Sequence, residues 1–204
     1  TLNNQISQAS GKYIARMDSD DICDINRFSK QISYMELHPD ITVLGTQYYI
    51  LKDGIIKRAK IEGIEEDEIK TSLFFGNRSI MHSSVMVRRK DCDFNTGLYD
   101  EKFKKAQDFE LWSRLISKNK RLNIMNEYLM YYRISDTQIS NINKNEQNLF
   151  RDIILERNLH QLTTIFNDSE KQIHIKLCNY ERIDNIKMLY NWCEKLRFFN
   201  MNKK

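Results

Sequence analysis

A short apolar run, Lys12-Tyr13-Ile14-Ala15-Arg16-Met17, stops abruptly at Asp18-Ser19-Asp20-Asp21. Such a run predicts a buried strand that delivers its carboxylates at its C-terminal end, where open α/β sheets bind ligands. Upstream, residues 2–9 read as the tail of a helix, closed by Ser10-Gly11 with glycine at a C-cap position. Three carboxylates within four residues repel one another unless a cation or a hydrogen-bond donor compensates. Hard divalent ions such as Mg²⁺ and Mn²⁺ take oxygen ligands of this kind and share them with substrate phosphates. The plain alternative is a solvated acidic turn capping the next helix. Asp24 already serves that cap, which leaves Asp18, Asp20 and Asp21 unexplained by it. An EF-hand loop starting at Asp18 would need glycine at its sixth place and glutamate at its twelfth, and the chain has Cys23 and Ser29 there. A phosphatase using Asp18 as nucleophile would usually carry threonine or valine two places after the second aspartate. Ile22 stands there, and no downstream paired aspartates occur in a comparable strand context.

The pattern after the acidic cluster alternates helix and strand. Asp24 reads as the N-cap of a helix whose apolar stripe is Ile25, Phe28, Ile32 and Met35, ended by His38-Pro39. Residues 41–51 are β-branched and aromatic, and Asp53-Gly54 signals a hairpin into 55–61. Residues 64–73 predict a short polar helix. Residues 83–89 form a second strand, preceded by His82. After a turn at Gly97, Ala106 to Lys118 predicts a helix with Phe109, Trp112, Leu115 and Ile116 facing inward. Residues 126–134 are a further strand. From Asn145 onward the pattern is helical, with Leu149, Ile153, Leu159 and Leu162 on the apolar side of the first helix. The boundary falls at 141/142, where strand patterns stop.

Bulk properties exclude several classes. The 204 residues are 41% hydrophobic and 29% charged, which suits a folded chain. A net charge of +4 without a dense basic stripe gives no nucleic-acid footprint. No apolar run approaches a membrane span, and there is no signal peptide. Cys23, Cys92, Cys178 and Cys193 form no C-x-x-C pair, so zinc spacing is missing and reduced thiols are expected.

The segment from Gly11 to Thr46, with its Gly-Lys-Tyr-Ile strand start, D-S-D-D end, Arg27-x-x-Lys30-Gln31 helix and His-Pro-Asp-Ile turn into a Val-Leu-Gly strand, resembles the central segment of glycosyltransferase family 2. Three later pieces follow in the family's order: IMHSSVMVRR, YDEKFKKAQDFELWSRL and YYRISDTQIS. The resemblance covers about residues 3–141. It implies an α/β fold: a partial GT-A domain with a Rossmann-like mixed sheet and flanking helices over 1–141, and a helical C-terminal extension over 142–204. The family's first βαβ segment has no counterpart ahead of residue 3, so the resemblance also implies an N-terminally truncated domain.

The implied activity is inverting transfer of a sugar from a nucleotide-diphosphate donor to an acceptor hydroxyl, with Mn²⁺ or Mg²⁺, in bacterial surface-polysaccharide or lipopolysaccharide synthesis. Asp18 and Asp20 correspond to the family's D-x-D, with Asp21 adjoining; Asp20, assisted by Asp18 or Asp21, is the expected metal holder. Asp108 corresponds to the proposed catalytic base. It opens a helix, where a carboxylate interacts favourably with the dipole, and a simple helix cap is its alternative. His82, Gln107, Trp112 and Arg133 are candidate substrate contacts. The alternatives are a structural role for His82, core for Trp112 and a solvated strand end for Arg133. Gln107 stands where many relatives carry an acid, and Ser135 where many carry a histidine. The expected partners are the nucleotide sugar and a saccharide or lipid-linked saccharide, not nucleic acid. The expected location is the cytoplasm, at the inner membrane face for a lipid-linked acceptor. Trp192, Leu196, Phe198 and Phe199 among basic residues offer a membrane-surface helix, with a packed helical lid as the alternative. The competing expectation for the whole chain is a non-catalytic remnant or binding module of the same fold.

Overall fold

The computed structural model describes residues 2–92, 97–134 and 144–201. Seven helices appear among them: α1 (Leu2–Gln8), α2 (Arg27–Leu37), α3 (Glu66–Phe75), α4 (Gln107–Ser117), α5 (Lys144–Leu162), α6 (Asp168–Cys178) and α7 (Ile186–Met201). The strands are β1 (Tyr13–Ala15), β2 (Ile22–Cys23), β3 (Ile41–Lys52), β4 (Ile55–Arg58), β5 (Met86–Arg88) and β6 (Arg121–Arg133). They form one mixed sheet in the order β1-β5-β3-β6-β2, with β4 beside the far end of β3. The long strands β3 and β6 run parallel and form its spine; the other pairings are antiparallel.

Local chemistry accounts for several of these elements. Asp53 and Gly54 both adopt positive φ, 49° and 76°, as the tight turn between β3 and β4 requires. Helix α3 starts on a capping box in which the Glu68 side chain accepts from the Glu65 backbone amide. Strand β1 is half-buried rather than buried, because it ends the strand order and pairs only with β5.

Helix α2 departs from its predicted stripe. Its N-cap is Asn26, while the Asp24 carboxylate accepts from the Asn26 amide one turn earlier. Ile25, Phe28 and Ile32 are 95%, 48% and 40% exposed, and the buried residues are Arg27, Gln31 and Met35. The reason is hydrogen bonding. Arg27 donates to the carbonyls of Arg16 and Val85, and to Gln31 Oε1. Gln31 donates in turn to the carbonyls of Leu44 and Ser84. Irregular backbone between β1, β5 and β3 needs these donors, and an aliphatic face has none to offer.

The main core joins Val43 and Val87 of the sheet, Leu73 of α3, Leu111 and Trp112 of α4, and Ile154 and Leu155 of α5. Leu159 and Leu162 face inward as expected, whereas Leu149 and Ile153 are exposed and Ile154 and Leu155 take the inward places in the first half of α5. A smaller cluster packs Trp192 and Leu196 of α7 on Leu159 and Ile173. No helix among the described residues is long and apolar enough to cross a membrane.

The α2 orientation has a measurable consequence. Met35→Ala should cost about 2–5 kcal/mol in urea unfolding, whereas Ile25→Ser should stay within about 0.5 kcal/mol. Equal losses would mean the predicted stripe, not the observed face, is the buried one.

Candidate active site

The acidic loop leaves β1 at Arg16, whose amide donates to the Val85 carbonyl. The loop turns tightly, with the Asp21 amide donating to the Asp18 carbonyl, and then enters β2. Pairing of Ile22 and Cys23 with Tyr131 and Met130 fastens the far side of the loop to β6. Ligand atoms of Asp18, Asp20 and Asp21 lie within 4.8 Å of one another.

Their environments differ. Asp18 receives two guanidinium bonds from Arg16, at 2.5 and 2.6 Å, and a bond of 2.8 Å from the Ser83 hydroxyl. Burial alone would raise its carboxyl, but Arg16 and Ser83 outweigh it and hold the group below the usual range. Asp21 is 5% exposed; Oδ1 accepts from the Arg133 amide, while Oδ2 is buried without a partner. Burial, with the charges of Asp18 and Asp20 adding to it, outweighs the pull of Ser83 and the Arg133 amide and leaves the Asp21 carboxyl raised. Asp20 is exposed, and its carbonyl accepts from Arg133 Nε. Arg133, exposed at the end of β6, closes on the acidic loop through that bond. Beneath the loop, fully buried Arg27 is pushed down to about 10 by burial, so it stays cationic at neutral pH.

Asp108 comes from a separate element, in the first turn of α4. The residue before that helix, Ala106, has a positive φ of 55°, a left-handed turn that L-residues adopt at a cost of about 1–2 kcal/mol. Such strain concentrates at functional sites. Asn77 donates to Asp108 Oδ2 at 3.3 Å while its amide also clasps both backbone groups of Ile80. Gln107 adjoins Asp108 and is half-buried.

His82 links the two halves. It opens a short 3₁₀ turn, His82–Ser84, whose Ser83 reaches Asp18. Its Nε2 lies 2.6 Å from the Tyr99 hydroxyl, and its ring meets Tyr99 and Trp112 edge to face. Burial pushes the imidazole down to about 4, against the opposing pull of Asp108 and Asp18 and with help from Arg16. One ring therefore feels both the acidic loop and Asp108. Trp112 is fully buried with no hydrogen-bond partner for its Nε1, so it belongs to the core behind His82 and does not face a substrate. Ser135 lies outside the described residues.

Residues 1–94 match the family model described as glycosyl transferase family 2. A glycosyltransferase of Methanocaldococcus jannaschii, MJ1057, is 37% identical over 146 residues, which is 70% of this chain and 49% of that protein. This chain belongs to glycosyltransferase family 2. The amylovoran biosynthesis glycosyltransferase AmsE of Erwinia amylovora is 29% identical over 74% of this chain and 57% of its own length. The chain spans about half the length of the curated relatives it matches. Among solved structures, S. aureus TarS 1-349 in complex with UDP-GlcNAc superposes with a TM-score of 0.60 at 11% identity, covering 95% of this chain and 59% of TarS 1-349. That likeness establishes the mixed-sheet fold of the family 2 domain.

Arg16, Ser83, Asn77 and Tyr99 were not singled out by the sequence patterns. Arg16 carried one usable signal: it precedes Asp18 by two places at a strand end, where alternating side chains share a face. The other three come from loops whose contacts only folding brings together.

The uncharged state of His82 sets a pH dependence. An unfolded histidine protonates near 6.5, the folded ring near 4. The contribution of the neutral ring is complete above about pH 6.5 and is lost as pH falls towards 4. Urea midpoints should fall across that window, and His82→Gln should flatten the fall. An unchanged slope in the variant would rule the buried ring out as its cause.

Proposed function

We propose that the protein carrying this chain moves a sugar from a nucleotide-diphosphate donor to an acceptor hydroxyl with inversion, supported by a divalent cation, Mn²⁺ or Mg²⁺. The observation that carries this reading is the buried, partnerless Oδ2 of Asp21 beside the exposed carboxylate of Asp20. A buried carboxylate oxygen without a donor is costly unless a cation completes it. The residues therefore fit a hard cation, held by Asp20 and Asp21 and shared with donor phosphates. Asp18 fits it less well, since both of its oxygens are engaged by Arg16 and one also by Ser83. When bound, such an ion supplies Lewis-acid stabilisation of charge on a departing diphosphate.

The chain's own groups do the rest. Arg16, pinned by Asp18, stands with its positive charge at the edge of the loop and favours binding of the anionic donor. Asp108 takes the proton of the acceptor hydroxyl while that oxygen forms its bond to the anomeric carbon. The bond from that carbon to the phosphate oxygen breaks, and its electron pair leaves with the nucleoside diphosphate. Attack by the acceptor oxygen on the face opposite the departing diphosphate yields inversion.

The relatives support the substrate class. WfaP of Escherichia coli, 28% identical over 77% of this chain, is named a UDP-Glc:alpha-D-GlcNAc-diphosphoundecaprenol beta-1,3-glucosyltransferase. WbnJ, also of E. coli and 31% identical over 65% of this chain, is named an O-antigen biosynthesis glycosyltransferase. A saccharide or lipid-linked saccharide acceptor in bacterial surface-polysaccharide synthesis, met on the cytoplasmic side of the membrane, is the corresponding proposal here. Residues 1–141 then carry the chemistry and 142–204 buttress it. Trp192 and Leu196 are committed to the core of that buttress, so they are not free to enter a membrane surface.

The test uses the full-length protein with a panel of nucleotide sugars and measures nucleoside diphosphate release. Mn²⁺ or Mg²⁺ should be required, and EDTA should abolish release. Asp20→Ala and Asp108→Asn should each lower turnover by about 100-fold or more while circular dichroism and melting stay unchanged. Full activity in either variant would remove that residue from the mechanism.

A further inference from the structure

We infer that Tyr99 is a positioning residue whose hydroxyl donates to His82 Nε2, placing the ring proton on Nδ1 and making His82 a neutral hydrogen-bond donor to a ligand oxygen between the acidic loop and Asp108. The ligand part of this inference rests on the sugar-transfer reading above; the proton placement does not.

The direction of the hydrogen bond follows from chemistry. At 2.6 Å the phenol oxygen and Nε2 share one proton. A phenol, with an ordinary pKa near 10, is a far better donor than a neutral imidazole N–H, and an imidazole nitrogen is a better acceptor than a phenol oxygen. Burial pushes the Tyr99 phenol up, so it keeps its proton. Among neutral forms, a ring that accepts at Nε2 must carry its hydrogen on Nδ1.

The ring is held in place from several directions. Tyr99 is 5% exposed, and its backbone is gripped by Asn3 of α1, which donates to the Tyr99 carbonyl and accepts from its amide, both at 2.9 Å. Trp112 and Tyr99 both meet the His82 ring edge to face. None of the buried, partnerless polar atoms belongs to His82, and among the described residues Nδ1 has no hydrogen-bond partner. Nδ1 therefore remains open on the half-buried side of the ring.

A neutral donor suits this position. The charged groups acting on His82 are Asp108, Asp18 and Arg16. An imidazolium there would pair with Asp108 and weaken it as a proton acceptor. A neutral ring can orient an oxygen without that penalty, and burial keeps the ring neutral at physiological pH.

The first experiment is ¹⁵N–¹H multiple-bond NMR on histidine-labelled full-length protein at neutral pH, with His82→Asn used to identify the resonances. The wild type should show His82 protonated on Nδ1 and unprotonated on Nε2. Tyr99→Phe, which keeps the ring and removes only the hydroxyl, should shift the ring towards the Nε2-protonated form. A wild-type ring protonated on Nε2, or a Tyr99→Phe spectrum unchanged from wild type, overturns the inference. This readout needs no turnover, so it stands even if no nucleotide sugar is consumed. The second experiment separates a donor role from a structural one. Asn presents its amide nitrogen where Nδ1 lies, and Gln presents it where Nε2 lies. His82→Asn should therefore keep about tenfold more kcat/KM than His82→Gln, a difference near 1.4 kcal/mol in transition-state binding. Equal losses in the two variants would reject the donor role.

Discussion

Arg27 is a cation with no exposed surface, and much of the site rests on it. Its guanidinium reaches the carbonyl of Arg16, where the acidic loop begins, and that of Val85, where the 3₁₀ turn carrying His82 and Ser83 ends. Through Gln31 the same brace reaches Leu44 and Ser84. Four backbone carbonyls from three segments are bonded by two neighbouring side chains on one helix face. A buried hydrogen-bonded group of this kind is costly to disturb, because removing it leaves several partners unpaired at once. The loop and the turn are therefore placed relative to each other by the same interaction.

On that brace the charges divide into roles. Asp18 is spent on Arg16 and Ser83, which orients a guanidinium towards the mouth of the loop. Asp21 is tied by one oxygen to the β6 backbone and keeps the other oxygen open. Asp20 points to solvent. Three carboxylates within four residues are thus an anchor, a half-satisfied buried group and an exposed acid. Asp108 follows a strained left-handed turn at Ala106, and the uncharged His82 ring feels both Asp108 and Asp18.

Legibility varied with the physics involved. The Asp53-Gly54 hairpin was readable because a two-residue turn imposes positive φ on its own residues, and few residue types tolerate it. The α4 helix was readable from its apolar period, and α3 as a short polar stretch. The α2 stripe misled, because periodicity ranks residues by hydrophobicity and cannot register that neighbouring carbonyls need donors. Arg27 and Gln31 were inside, and Ile25 and Phe28 were outside, for that reason. Of the candidate site, the acids were visible as a local cluster. Tyr99 and Asn77 were invisible, since their partners lie 17 and 31 residues away.

The sequence by itself determined the chemistry on offer: a strand ending in three carboxylates, an aspartate opening an apolar helix, the order of the helices and strands, and membership in a family with those features. These are local or sequential properties, encoded in spacing along the chain. Tertiary structure alone decided which aspartate is tied to Arg16, which oxygen of Asp21 is left open, that Trp112 and Trp192 are core, and that His82 stands uncharged against Tyr99. Those outcomes depend on burial and on contacts between distant segments. Desolvation and hydrogen-bond competition are set by the packed neighbourhood, which no stretch of sequence carries alone.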